Sequence, residues 1–429
     1  MTSVISCARA LAGGEERRNF AFAIEDGTIA AAGDCAEVLA RYPYAARTSY
    51  GEDVAILPGF VNGHSHAYQI LLRGWADDLP FERWRSEALY RAVPALTPQN
   101  VYDVFLAAFE EMLAAGITTV AEFFYLNGAG NAHAEAAIAA ARAAGIRLIF
   151  ARTWMDAPSA PPAFRESIDE AAFRTAELMR AFPDANVCVA PHSLHACSAE
   201  MISAAAQFAK DAGCMLHIHV AEAQYERESV IRRFGAGPMN VLDRLGALNE
   251  RTVAVHAIHI SEEEKQITAD RGARVVHNPV TNQYLGDGIC DVVSLRTLGV
   301  PVGLGTDADV KPSILDEMRA AALLQKLKRN DGSALNAATA FSLGTAEGAS
   351  ALGLDRAGDL RPGSYADYCV MDVCGVDPWT PLINAVVYRA ESAWIKETFV
   401  GGRRVARQED RRRADTSHLS VLIPQGGNE

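Results

Sequence analysis

Residues 58–66, PGFVNGHSH, decide how the rest of the chain is read. In an extended segment, side chains alternate between faces. His64 and His66, two apart, therefore present both imidazoles to one side, where a single metal ion can take them. Gly59 and Gly63 keep the backbone open beside them. An H-x-H pair is weak alone, since two structural histidines are its ordinary explanation, and it gains weight only from its company downstream.

Outward from this stretch the chain repeats a cycle of buried run, loop and helix. The expected strands are 60–66, 118–123, 147–153, 186–191, 215–221, 252–257, 274–278 and 300–307. Helix signals separate them. Thr97-Pro98 opens a helix whose apolar face is Val101, Val104, Phe105, Ala108 and Met112 and which Gly116 closes. Ser198 opens another that ends at Gly213, and Ser261 with Glu264 forms a capping box for a third that ends at Gly272. Eight strands alternating with helices predict an α/β fold, a (β/α)8 TIM-type barrel. The rival is a doubly wound open sheet, whose G-x-G-x-x-G loop after the first strand is missing. Short alternating runs before residue 57, with an Asp26-Gly27 turn, and again after 356 predict a small β-sandwich made by both termini. The expected domains are 58–356 for the barrel and 1–57 with 357–429 for the composite sandwich.

On such a barrel the strand ends build the site. His219 ends strand five in HIHVAE and is the better ligand than His217, which lies deeper and reads as a hydrogen-bonded core histidine. Glu222, just beyond, either leads an acidic surface helix or carries protons over a metal. Asp307 directly follows the apolar VPVGLG, where an aspartate must be paired, desolvated or ligating; Asp309 is a neighbour of the site or a loop residue. His256 and His192 end strands six and four and can orient water or hold a substrate nitrogen. His195, His259 and His277 are weaker candidates, and His133 and His418 read as surface residues. Together His64, His66, His219 and Asp307 form a ligand set for one divalent ion per chain, zinc or ferrous iron, with a position left for water. A metal-bound hydroxide, Glu222 as proton shuttle and His256 polarising it would make a hydrolytic device.

Composition narrows the function classes. A net charge of −13 argues against nucleic acid or an anionic membrane surface as partner, and residues 403–413, the one basic run, read as a solvated tail. With 49% hydrophobic residues the chain can bury a large core, and no stretch is long and apolar enough to span a bilayer. The start lacks a signal-peptide pattern, and the eight cysteines are scattered without C-x-x-C spacing, so a cytoplasmic protein with reduced thiols is expected. A small molecule is the expected partner, and a homo-oligomer, most simply a dimer, is the usual state for a soluble enzyme of this size.

These residues resemble the amidohydrolase superfamily over nearly the whole chain, in the order PGFVNGHSH, HVAE, the strand-six histidine and GTD. Strand four lacks the lysine that bimetal members carboxylate, which implies the one-metal aminohydrolase branch. HSHAYQ, AEFFY, APHSLHA and LGDGI are similar to formimidoylglutamate deiminase, but His195 and Ser86 stand where that family has arginines for substrate carboxylates. LLRGWADDLPFERW (Arg73, Asp77, Asp78) and VVHNPVTN (His277, Asn278, Asn282) are similar to the methylthioadenosine/adenosylhomocysteine deaminase and chlorohydrolase group. The resemblance implies a hydrolase that releases ammonia from an amidine or an amino-substituted N-heterocycle, nearest to formimidoylglutamate deiminase with an altered pocket. It also implies substrate contacts at Gln69, Arg73, Trp75, Trp84, Tyr125, His192, His195 and His277. An amide, urea or C–Cl hydrolase on the same ligands, or a barrel that only binds, are the alternatives.

Overall fold

The structure, a computed structural model, describes residues 2–410 apart from 76–77, 80, 93–95, 159 and 309. Asp77, Asp309, His418 and the end of the basic run at 411–413 therefore lie outside the described residues.

Five strands come first: β1 (Ser3–Ala12), β2 (Glu15–Glu25), β3 (Thr28–Asp34), β4 (Ala46–Tyr50) and β5 (Val54–Pro58). The β2–β3 turn is the two-residue Asp26-Gly27, with φ of 48° and 76°, the left-handed pair that a tight hairpin requires. Eight barrel strands follow: β6 (Phe60–Ser65), β7 (Ile117–Phe124), β8 (Arg147–Trp154), β9 (Cys188–Pro191), β10 (Leu216–Val220), β11 (Thr252–His256), β12 (Arg274–His277) and β13 (Val302–Leu304). The last three are β14 (Tyr368–Asp372), β15 (Ile395–Val400) and β16 (Arg403–Arg407). Residues 403–407, expected as a solvated tail, thus form a sheet-edge strand paired with β15, in which Val405 and Ala406 are half-buried and the flanking arginines face water.

The terminal strands form one sheet in the order β16-β15-β14-β5-β1-β2-β3, with β4 beside β1. The Phe22 ring on β2 and the Tyr368 ring on β14 meet at 5.2 Å although two strands separate them. Strands lie about 4.8 Å apart, so a flat sheet would hold those rings roughly 14 Å apart, and the contact shows that the sheet curls over its own core. That core includes Ile5, Phe22, Ile24, Ile29, Ile56 and Val370, and the other face of the sheet is covered by helix Cys35–Arg41 through Val38.

The barrel strands are neighbours in chain order and every pair is parallel. Each is buried almost throughout, as a sheet covered by helices must be. The expected helix caps hold. Thr97 and Ser261 form capping boxes, Ser198 caps its helix, and Gly213 ends it in the left-handed conformation. Seven strand positions were legible to within a few residues, whereas the eighth is only three residues long. There the backbone leaves the ladder to close the ring. Asn62 bonds Thr306 through both ends of its amide, at 2.7 and 3.0 Å, while His66 N–H donates to Asp307 O at 2.8 Å and Asp307 N–H to His64 O at 3.0 Å. The first and last strands are thus joined at the residues expected to hold a metal. Among the described residues, no helix is long and apolar enough to cross a membrane.

Candidate metal and substrate site

The polar strand ends converge where four backbone positions adopt a conformation that L residues avoid. Ala221, just after β10, His256 and Ala257, at and just after the end of β11, and Asp307, three residues beyond β13, have φ of 49°, 71°, 50° and 53°. Such strain persists only where surrounding structure enforces it, and here it turns His256 and Asp307 inward.

His64, His219, His256 and Asp307 place ligand atoms within 4.8 Å of one another, and all four are buried. His66 stands at the same centre, its Nε2 3.5 Å from Asp307 Oδ1, while His64 Nε2 is 3.3 Å from that oxygen and 3.2 Å from His219 Nε2. The tautomers follow from the partners. His66 Nδ1 faces the carbonyl of Phe123 at 2.9 Å, and His219 Nδ1 faces that of His192 at 3.0 Å. A carbonyl only accepts, so both Nδ1 atoms carry hydrogen and both Nε2 lone pairs point at the carboxylate and at His64. Burial drives proton affinity down for His64, His66 and His219, with His66 pushed to about 3, so protons do not fill the gap. Converging lone pairs beside a carboxylate need a cation, and this donor set fits a divalent metal.

His256 differs. Its Nδ1 lies 3.2 Å from the Asn282 amide nitrogen and 3.3 Å from that of Asn278, and Asn282 is oriented by Asp287 Oδ2 at 3.2 Å. With Nδ1 accepting, the hydrogen sits on Nε2, which faces Glu222 at 3.6 Å and Asp307 at 3.8 Å. His256 is therefore near the metal position but presents a donor. Burial lowers its proton affinity to about 3, so the ring is neutral. Glu222 is the opposite case: burial first, then the charges of Asp287, Glu226 and Asp307, raise its affinity for a proton well above that of an ordinary carboxyl. Burial also pushes Asp287 up to about 7.

Above the cluster opens a cavity of about 1210 Å³ including its mouth. Its wall contains Gln69, Arg73, Trp84, Tyr125, His192 and His195 from the expected contacts, with Leu72, Leu89, Tyr90, Met155 and Phe164 supplying apolar surface. Gln69 Nε2 donates to the Tyr125 hydroxyl at 3.0 Å, and Arg73 is paired with Glu111 at 2.7 Å. Two expected contacts are absent from this wall. Trp75 packs against the hydrophobic core, and His277 is wholly buried on β12, the strand beside that of His256, where burial lowers it to about 3. His133 is a further correction: it is only 8% exposed, because Nδ1 is tied to the Leu126 carbonyl at 3.1 Å. His217 is a core histidine as expected, yet its Nε2 has no hydrogen-bond partner among the described residues.

Sequence reasoning passed over the supports. Glu122, wholly buried, accepts from Ala67 N–H at 3.0 Å and fixes the turn after His66; its signal was a carboxylate inside the apolar run ITTVAEFF. Arg152 carried the same signal inside RLIFARTW, whereas Glu226, Asp287 and Glu166 did not.

A parallel barrel with three histidines, an aspartate and a proton-holding glutamate at its C-terminal rim defines a metal-dependent hydrolase scaffold. Residues 55–405 match the model of the amidohydrolase family, and the chain belongs to that family. It is 34% identical over 361 residues, 82% of each chain, to a 5'-deoxyadenosine deaminase from Methanothermobacter thermautotrophicus. It is 35% identical over 401 residues, 91% of this chain and 89% of the relative, to a 5-methylthioadenosine/S-adenosylhomocysteine deaminase from Syntrophobacter fumaroxidans. An adenosine deaminase from Xanthomonas campestris, solved with bound zinc, superposes with a TM-score of 0.89 at 29% identity, over 97% of this chain and 96% of that one. An atrazine chlorohydrolase from Arthrobacter aurescens TC1 shares the fold with a TM-score of 0.88 at 23% identity, over 98% and 100%. The two deaminase relatives carry names from the methylthioadenosine/adenosylhomocysteine side of the two resemblances.

Proposed function

We propose that the chain is a metal-dependent deaminase that hydrolyses the exocyclic amine of an adenine nucleoside. The observation that carries the reading is the pair of forced tautomers: carbonyls of Phe123 and His192 aim the Nε2 lone pairs of His66 and His219 at one point beside Asp307. His64, His66, His219 and Asp307 would hold the ion. A divalent cation there, zinc or ferrous iron, supplies the Lewis acid that makes water a nucleophile at neutral pH.

The other residues do the proton work. Asp307 accepts from the attacking water, and the Nε2–H of His256 donates to its oxygen and orients it. Water adds to the sp² carbon that bears the amine, and Glu222, which holds a proton tightly, delivers one to the adjacent ring nitrogen. Collapse breaks the exocyclic C–N bond: the hydroxyl proton leaves with the amine as ammonia, the ring carbonyl remains, and the proton that Asp307 accepted restores Glu222. Gln69, Arg73, Trp84, Tyr125, His192 and His195 would hold the substrate, with Leu72, Leu89, Met155 and Phe164 supplying apolar surface.

The test is ammonia release by metal-loaded protein from adenosine, 5'-deoxyadenosine, methylthioadenosine and S-adenosylhomocysteine, beside formimino-amino acids, pterins and triazines. Turnover of a nucleoside is expected. Turnover confined to acyclic amidines would return the chain to the formimidoylglutamate group, and chloride or carboxylate as the product would replace deamination by the other hydrolytic reading.

A further inference from the structure

Two ring contacts lead outward from the ligand cluster along the end of β9. His219 and His192 are 4.8 Å apart between ring centres, and His192 and His195 are 5.7 Å apart. With the reacting carbon at the ligand cluster, a purine laid along these rings would carry its sugar toward His195. His195 is held in an unusual way. Its Nδ1 lies 3.3 Å from Oε1 of Glu226, a carboxylate 5% exposed on helix Gln224–Phe234. The other oxygen, Oε2, accepts the backbone N–H of Glu222 at 3.2 Å. With both oxygens engaged the carboxylate cannot turn away, and since it accepts, the imidazole hydrogen is on Nδ1. Burial lowers the proton affinity of His195, against the pull of Glu226, so the ring is neutral. Nε2 is then an acceptor on a wall shared with the apolar Ala196, Met155 and Phe164 and with Arg85, whose charge also disfavours protonation of His195.

We propose that His195, oriented by Glu226, is the specificity-determining residue for the sugar: its Nε2 accepts a hydrogen bond from a ribose hydroxyl and selects ribonucleosides over dideoxynucleosides. This rests on the deaminase reading above. The chemistry is that of a site built around a hydroxyl. An analogue lacking the hydroxyl leaves a half-buried acceptor without that donor. The same carboxylate that orients His195 also anchors the backbone of Glu222, so sugar recognition and proton delivery share one support.

The experiment compares kcat/KM for adenosine with that for 2',3'-dideoxyadenosine. In the wild type the ratio should be about 10 or more. His195→Phe should bring it to within about 2-fold of unity, His195→Gln, which keeps an acceptor, should preserve most of it, and Glu226→Leu should lose it with the imidazole still present. The wild-type ratio needs no substitution, so it decides the matter even if the phenylalanine variant does not fold. Equal use of the two nucleosides by the wild type, or an unchanged ratio in folded His195→Phe, overturns the assignment and leaves the deaminase reading standing. Ammonia from neither nucleoside overturns both.

Discussion

Glu166→Gln should destabilise the chain far more than a surface substitution and loosen one wall of the cavity. Arg152, on β8, is wholly buried, and its two terminal nitrogens each bond a different Glu166 oxygen at 2.8 Å. The Glu166 side chain is 1% exposed and also receives Arg174, itself 29% exposed. Between the partners in sequence lie Met155, Ala160 and Phe164 of the cavity wall, and Glu166 N–H donates to Met155 O at 2.9 Å. A guanidinium does not give up its proton, so glutamine leaves a cation in the interior facing a neutral amide. Breaking a buried pair by removing one partner costs roughly 3–5 kcal/mol; since the amide keeps one acceptor, about 3 is expected, or somewhat more than a hundredfold in the unfolding equilibrium. Arg152→Met should cost less, because Arg174 still pairs with Glu166. In Arg152→Met/Glu166→Leu neither charge is stranded, and about 1 kcal/mol or less is expected from replacing a buried pair by apolar groups. Urea unfolding followed by fluorescence and circular dichroism gives the energies, and KM reports the wall. A cost below about 1 kcal/mol for Glu166→Gln, or a double variant as unstable as the single, would refute the assignment of the wall's anchorage to this pair.

His219→Ala should lose both bound metal and turnover, while Glu222→Gln should retain metal and lose about 10²–10⁴ in kcat; metal analysis alongside ammonia release checks both, and full turnover by the glutamine variant would remove Glu222 as the proton carrier. Gly305→Ala is expected to weaken metal binding and cost roughly 1–3 kcal/mol, because its Cβ would stand 2.5 Å from Asn278 Oδ1 and 2.7 and 2.8 Å from the backbone N and O of His64. Chelator competition reads the affinity, and an unchanged value would show that β6 and β13 can part without disturbing the ligands.

What was legible in the sequence was whatever repeats or stands out against an apolar background. The barrel strands showed as buried runs, and Asp307 showed because a charge directly after VPVGLG has no cheap solution. Roles set by partners far along the chain did not show. His256 and His66 look alike as strand-end histidines, and it is the amides of Asn278 and Asn282, 22 and 26 residues on, that put the hydrogen of His256 on Nε2. His277 ends β12 just as His256 ends β11, yet it is wholly buried and misses the cavity. Trp75 and Trp84 flank the same loop, and which of them faces inward depends on packing that no local pattern encodes. Glu226 read as one carboxylate of an acidic helix, because its meaning lies in His195, 31 residues earlier.

The closure of the barrel at its ligands has a consequence for biosynthesis. His64 emerges from the ribosome long before Asp307, 243 residues later. At about 5–20 residues per second that interval is roughly 12–50 s, during which the nascent chain carries histidines but no complete site. The bonds between His66 and Asp307 and between Asp307 and His64 form only when the last barrel strand arrives. An interrupted chain therefore lacks the full cluster of His64, His219, His256 and Asp307, which is assembled only with completion of the ring.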